Sequence, residues 1–253
     1  MLIYKKIFLL VIIWLLRIQT AFCQHDSTNH RLRVINIGIP ATYGLTMTGL
    51  YSLWYKGYPM RKFHFFNDNN EWMQVDKMGH SYSAYQLSRT GVELYRWSGL
   101  TGRKAILTGG LVGYSYLTTI EILDGFSSNW GASWGDLVAN TIGTGLYVVQ
   151  ELFWKEQKIN LKFSFSQSPY HQLRPNVLGE NFPQQMFKDY NGQTYWLSAN
   201  IKSLCLATEN KFPAWLNLAV GYGAQGMIGS ENNSFLAKGS SVAVNYSYIP
   251  RFR

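Results

Sequence analysis

Long apolar runs at helical length occupy the first part of the chain, and short alternating segments take over in the last third. Val34 to Tyr55 runs for 22 residues without a charge, interrupted by Gly38, Pro40, Gly44 and Gly49. It is long enough to cross a bilayer, and mild enough in its Thr, Gly and Tyr content to be a buried bundle helix; both readings stand. Pro40 is expected to kink the helix or start it, and residues 24 to 33 read as a polar, loose lead-in. A basic and aromatic linker over 56 to 75, with turn signals at Gly57, Pro59 and Asn67 to Asn70, separates this run from a helix near Asp76 to Trp97.

After a turn at Ser98 to Gly102, the next helix is predicted from about Arg103 to Leu123. Its uncharged centre, Ala105 to Ile120, carries Gly109 and Gly113 in G-x-x-x-G spacing, which permits close helix approach in a membrane or in a soluble core. A loop over Gly125 to Ala132 leads to a helix from Ser133 to about Phe153. Its start is marked by Ser133 and Asp136 in capping-box spacing.

Beyond Lys158 the pattern alternates over Asn160 to Ser166, Thr194 to Ile201 and Ser241 to Tyr248, the signature of strands. Trp215 to Val220 reads as a strand or a short helix. The chain lacks the regular series of ten-residue strands that an outer-membrane barrel needs. The fold class expected is therefore mainly α: about four apolar, Gly-rich helices in a bundle, then a smaller β-containing part. The expected division is a signal peptide over 1–23, a helical membrane-associated region over 24–158, and a mixed region over 159–253.

The N-terminus sets the compartment. Lys5 and Lys6, the apolar run Ile7 to Leu16, and Ala21 and Cys23 before Gln24 have the order of a secretory signal peptide with a cleavable end. Lipidation of Cys23 competes with simple cleavage, but Phe22 occupies a place where lipoprotein processing wants a small side chain. The formal charge is +9 over the whole chain. Removal of Lys5, Lys6 and Arg17 leaves a moderately basic chain that favours anionic lipid or envelope polymers as neighbours. An exported chain with no long basic cluster argues against nucleic acid. Only Cys205 remains after cleavage, so the fold is held by burial rather than by an internal disulfide.

Three polar pairs interrupt the apolar helices: Asp76 with His80, Glu121 with Asp124, and Asp136 with Asn140. Each pair shares one helix face. If the faces converge, a histidine, several carboxylates and an amide make a candidate site for acid-base work or for a divalent metal, with His80, Glu121 and Asp124 as the ligands. Structural roles compete: Asp76 as an N-cap, Asp136 in the capping box, Asn140 bonded to a neighbouring helix. Glu121 and Asp124 fit a structural role less well, since they fall near a helix C-terminus where the dipole disfavours anions. An offset is expected from Lys77, His80 or a bound cation.

Gly131-Ala132-Ser133-Trp134-Gly135 matches the nucleophile-elbow pattern, yet a helix and a loop precede the serine where a strand is required. Walker, dinucleotide, C-x-x-C and H-E-x-x-H patterns are absent from the sequence.

The run Asp76-Lys77-Met78-Gly79-His80, then Glu121-Ile122-Leu123-Asp124-Gly125, then Ser133-Trp134-Gly135-Asp136 with Asn140 and Gly143 resembles the YfiM-like family of predicted periplasmic lipoproteins, domain of unknown function 2279. Tyr195 to Asn200 and Phe212 to Gly223 also look like members of that family. A looser likeness links the polar pattern to VanZ-like membrane proteins, which usually carry a glutamine where this chain has Asp124. The resemblance implies an envelope location and a shared polar site, and supplies no reaction. Two functional readings follow. One is a membrane-associated envelope protein that binds a lipid or an envelope partner; the other is a metal-assisted or acid-base enzyme acting on an envelope lipid or glycan. Whether the inner or outer membrane is its home, and its oligomeric state, are open at this point.

Overall fold

The computed structural model describes residues 30–204, 212–230, 233–236, 243–245 and 247–253. The expected signal peptide and Cys205 lie outside the described residues. The architecture is mainly helical, with a four-stranded antiparallel sheet in the C-terminal part. The described residues divide into two compact units, one made of those up to 66 with 83–153, the other of 67–82 with those from 154 onward.

The first unit is built from helices. Helix α1 spans His30–Leu50 and passes into a π-helical turn at Tyr51–Tyr55. Pro40 lies inside α1, so it neither starts the helix nor ends it. The helix also reaches back through residues read as a loose lead-in. The reason is tertiary: Leu32 and Ile35 are buried with Ile39 against Tyr95 and Ala105, and that burial orders a turn whose charges resemble a loop. Helix α2 spans Val75–Trp97, and from Ser83 onward it belongs to this unit. Helices α3, Gly102–Phe126, and α4, Trp134–Phe153, complete it. The start and end of α4 agree with the expected capping signal, and α3 runs through Gly125, which had been read as the beginning of the loop.

Glycine sets the spacing of these helices. A Cβ on Gly109 would stand 2.3 Å from the Val92 nitrogen, and one on Gly113 would stand 2.6 Å from the Ser88 nitrogen. Both halves of the G-x-x-x-G spacing therefore let α3 lie backbone to backbone on α2. The α2 and α4 chains run in the same direction, as Ser88 bonded to Thr144 at 3.2 Å and Arg96 bonded to Glu151 show.

The second unit centres on the sheet of order β1-β2-β3-β6: Ile159–Phe165, Gln193–Asn200, Asn217–Gln225 and Ile249–Phe252. Strands β4, Ser234–Leu236, and β5, Ala243–Asn245, pair separately. Trp215 to Val220 thus resolves as the approach to β3 and its first residues. The expected strand over 241 to 248 is in part β5, and in part lies outside the described residues. Short helices α5, Pro175–Leu178, and α6, Phe182–Lys188, bridge β1 and β2. Here Val75, Ala224 and Met227 form a buried core flanked by Trp72, Met73 and four tyrosines. Just before α2, Trp72, Met73 and Gln74 take left-handed φ values of 48, 52 and 62°. The Tyr222 hydroxyl holds this turn by donating to the Met73 carbonyl at 2.6 Å.

Candidate functional site

The expected site residues on α3 and α4 lie in the first unit, at the end where α3 gives way to α4. Glu121 is only 1% exposed, and Asp136 and Asn140 are buried with it. Ser133 caps α4, its hydroxyl accepting from the Asp136 N–H at 3.1 Å. The reciprocal half of the capping box is filled from elsewhere. The Ser133 N–H donates to the Glu121 Oε2 at 3.0 Å, so the carboxylate of one helix closes the N-terminus of the next.

This bond adds a backbone contribution to the expected electrostatics. Glu121 sits unfavourably near the C-terminal turn of its own helix, and the positive end of α4 offsets it. Asp124 is met by the Tyr55 hydroxyl at 2.7 Å. Lys77, expected as an offsetting cation, pairs with Asp68 at 2.5 Å. Its second carboxylate neighbour is Asp76, at 3.9 Å.

The other expected site residues, Asp76 and His80, stand one helical turn apart on α2, within the segment 67–82 of the second unit. Asp76 lies in the first turn of α2 rather than at its cap, because Val75 already belongs to the helix. Its carboxylate accepts from the Tyr190 hydroxyl at 2.5 Å. His80 is half-buried. The residue before it, Gly79, faces the Tyr195 hydroxyl so closely that a Cβ would sit at 3.0 Å. Burial first, and then the charge of Asp76, push the Tyr195 hydroxyl above the ordinary tyrosine range and keep it protonated.

Tyr55, Tyr190 and the Ser133 backbone are the partners that sequence reading missed. Tyr55 is 69 positions from Asp124 and Tyr190 is 114 from Asp76, so no local spacing could pair them. Glu121 was legible as a misfit acid at the wrong end of a helix, and its partner was not.

Between Asp76 and Gly143 lie the residues that carry the strongest sequence likeness, and the comparison turns on them. Residues 64–151 match the family of predicted periplasmic lipoproteins, domain of unknown function 2279. The family is the one that the polar pattern resembles, and its match covers α2, α3 and most of α4. Its description as periplasmic agrees with the exported, cell-envelope location expected from the N-terminus. No curated protein and no solved structure matches the chain. The family contributes a location and no reaction, so chemistry has to be argued from the side chains.

Those side chains define a polar interior. On α4, Asp136, Asn140, Gln150 and Glu151 are buried, while Trp134, Val138, Ile142, Val149 and Phe153 are exposed, Ile142 by 60% and Phe153 by 78%. Exposed Leu107 and Leu111 on α3, with Ile37 and Leu45 on α1, extend the apolar exterior. A helix in water buries its apolar stripe, and α4 does the reverse.

Proposed function

We propose that the helical unit is embedded in an envelope membrane, where it binds lipid around a polar interior. The observation that supports this most is the inverted α4, with carboxylates and amides inside and a tryptophan, a phenylalanine and branched aliphatics outside. Lipid is the solvent for which that arrangement is favourable, since the polar groups are kept away from acyl tails and the apolar side chains meet them. Among the described residues, Gly102–Phe126 is long and apolar enough to cross a membrane by length and composition. Its uncharged centre, Ala105 to Ile120, spans roughly 24 Å at the helical rise, and the flanking residues of the helix make up the rest of the roughly 30 Å hydrocarbon core. Tryptophans mark the outer parts of the unit: Trp97 lies beneath Arg31 at 5.3 Å, Trp130 meets Tyr58 edge-on, and Trp134 opens α4 at the end away from Phe153. This is the belt pattern of interfacial aromatics.

The test is extraction of the mature protein from isolated envelopes with alkaline carbonate. Retention in the pellet and release only by detergent is the expected result. Release into a monodisperse, detergent-free soluble fraction overturns the reading.

A second reading is favoured by the two buried carboxylates Glu121 and Asp136. In it the interior is the site of a metal-assisted or acid-base enzyme acting on an envelope lipid or glycan, with a divalent metal as its cofactor. Elemental analysis of the purified protein decides here. Stoichiometric metal that is lost in Glu121→Gln supports the enzyme, and no metal in wild type removes the metal-assisted form.

A further inference from the structure

The segment between α1 and α2 has a character that the polar interior does not explain. From Lys56 to Phe66 it carries Tyr58, Met60, Phe63, Phe65 and Phe66 as exposed large apolar side chains, with Lys56, Arg61 and Lys62 exposed among them. No acidic residue occurs between Asp26 and Asp68.

The segment is a built strap rather than a loose loop. Arg61 and His64 donate their N–H groups to the Phe126 and Gly125 carbonyls, both at 2.9 Å. Phe66 and Ala132 are joined by an N–H bond at 3.0 Å, and Ser128 donates to the Pro59 carbonyl at 3.0 Å. The His64 Nδ1 lies 3.0 Å from the Gly125 carbonyl oxygen. Phe63 packs so closely on Gly125 that a Cβ there would sit 2.3 Å from the ring. Phe65 stacks on Trp134 at 4.5 Å between ring centroids, and Tyr58 meets Trp130 edge-on at 4.9 Å. With its backbone groups bonded to the α3–α4 connection, the strap presents aromatics and cations at almost no ordering cost.

We propose that this strap docks on the headgroup layer of anionic phospholipid. The proposal deepens the bilayer reading above and rests on it, naming the lipid class that the unit prefers. The argument is charge complementarity joined to chemistry. Aromatic side chains partition to the level of headgroups, and cations beside them gain from each anionic phosphate that they meet. Packing on Gly125, Trp134 and Trp130 still leaves Phe63, Phe65 and Tyr58 exposed, together with Met60 and Phe66. A zwitterionic lipid satisfies the aromatics and leaves the three cations uncompensated.

The experiment uses the mature protein in nonionic detergent, with thermal unfolding followed during titration with short-chain phosphatidylglycerol, short-chain phosphatidylcholine or inorganic phosphate. Phosphatidylglycerol is expected to raise the midpoint strongly, and the other two hardly at all. The triple variant Lys56→Gln, Arg61→Gln, Lys62→Gln is expected to unfold at the wild-type midpoint without lipid and to bind phosphatidylglycerol on the order of 100-fold more weakly. Phe66→Ser, which leaves the cations in place, should weaken binding by a smaller factor. Equal shifts with both lipids overturn the proposal, as does a full shift with inorganic phosphate or an undiminished shift in the triple variant. Carbonate extraction reports on insertion separately: a protein released by carbonate whose phosphatidylglycerol shift is still lost in the triple variant keeps the strap and removes the embedded bundle.

Discussion

Glu121 shows how much of one residue's role depends on a distant backbone group. Its carboxylate takes the Ser133 N–H that a capping box would have given to Asp136. Glu121→Gln keeps the size and an acceptor oxygen while removing the charge that faces the N-terminus of α4. A loss of about 1 to 3 kcal/mol in unfolding free energy is expected, read from denaturant midpoints. A second residue points in the other direction. Lys155 follows the last turn of α4 with φ of 56°, the left-handed position at a helix end where glycine is the usual choice. Lys155→Gly should raise stability by roughly 0.5 to 1 kcal/mol, because it relieves the contact between Cβ and carbonyl that left-handed backbone imposes. Neither effect was legible in the chain. The helix end after Phe153 could be read, and the conformation of Lys155, two residues beyond it, could not.

At the scale of elements, helix length, order and start were readable because they follow from local periodicity and from capping chemistry. Ser133 caps α4 as its spacing requires, and α2 begins beside Asp76. What failed was local reading at ends held by distant packing. The first turn of α1 forms because Leu32 and Ile35 reach Tyr95, and the last turn of α3 continues past Gly125, against which Phe63 closes. The glycines of α3 illustrate the same division. Their spacing announced a close approach, and only the fold shows that α2 is the neighbour. Gly109→Ala should cost at least 1 to 3 kcal/mol, since its Cβ meets backbone that cannot turn aside. By contrast Gly145 on α4 has nothing within 4 Å of a Cβ, and Gly145→Ala should be neutral or stabilising by up to about 1 kcal/mol. Thermal midpoints of the pair, measured in one detergent, check both expectations.

For the molecule as a whole, the exposed stripe of α4 carries the clearest prediction. Ile142→Arg places a charge where the bilayer reading puts hydrocarbon, at a cost of about 2.5 to 3.5 kcal/mol, and the membrane-bound yield should fall sharply. In water the same change is expected to stay within about 0.5 kcal/mol. The sequence carried the charge-free runs that suggest this and could not say which face of each helix is outward, because inversion is a relation between helices. The polar pairs were visible one by one; their surroundings, Tyr55 for Asp124 and Tyr190 for Asp76, depend on tertiary contacts.

The left-handed turn at Trp72 to Gln74 also governs timing. Three successive side-chain-bearing residues in that conformation would unwind alone, and what keeps them there is Tyr222, 149 positions later, with the core around Ala224 and Met227. A chain that is made and exported from its N-terminus therefore holds residues 72 to 82 in suspense until almost all of it has emerged. The carboxyl-terminal sheet completes an early helix, and the Asp76 position, bonded to Tyr190, depends on chain made 114 residues later.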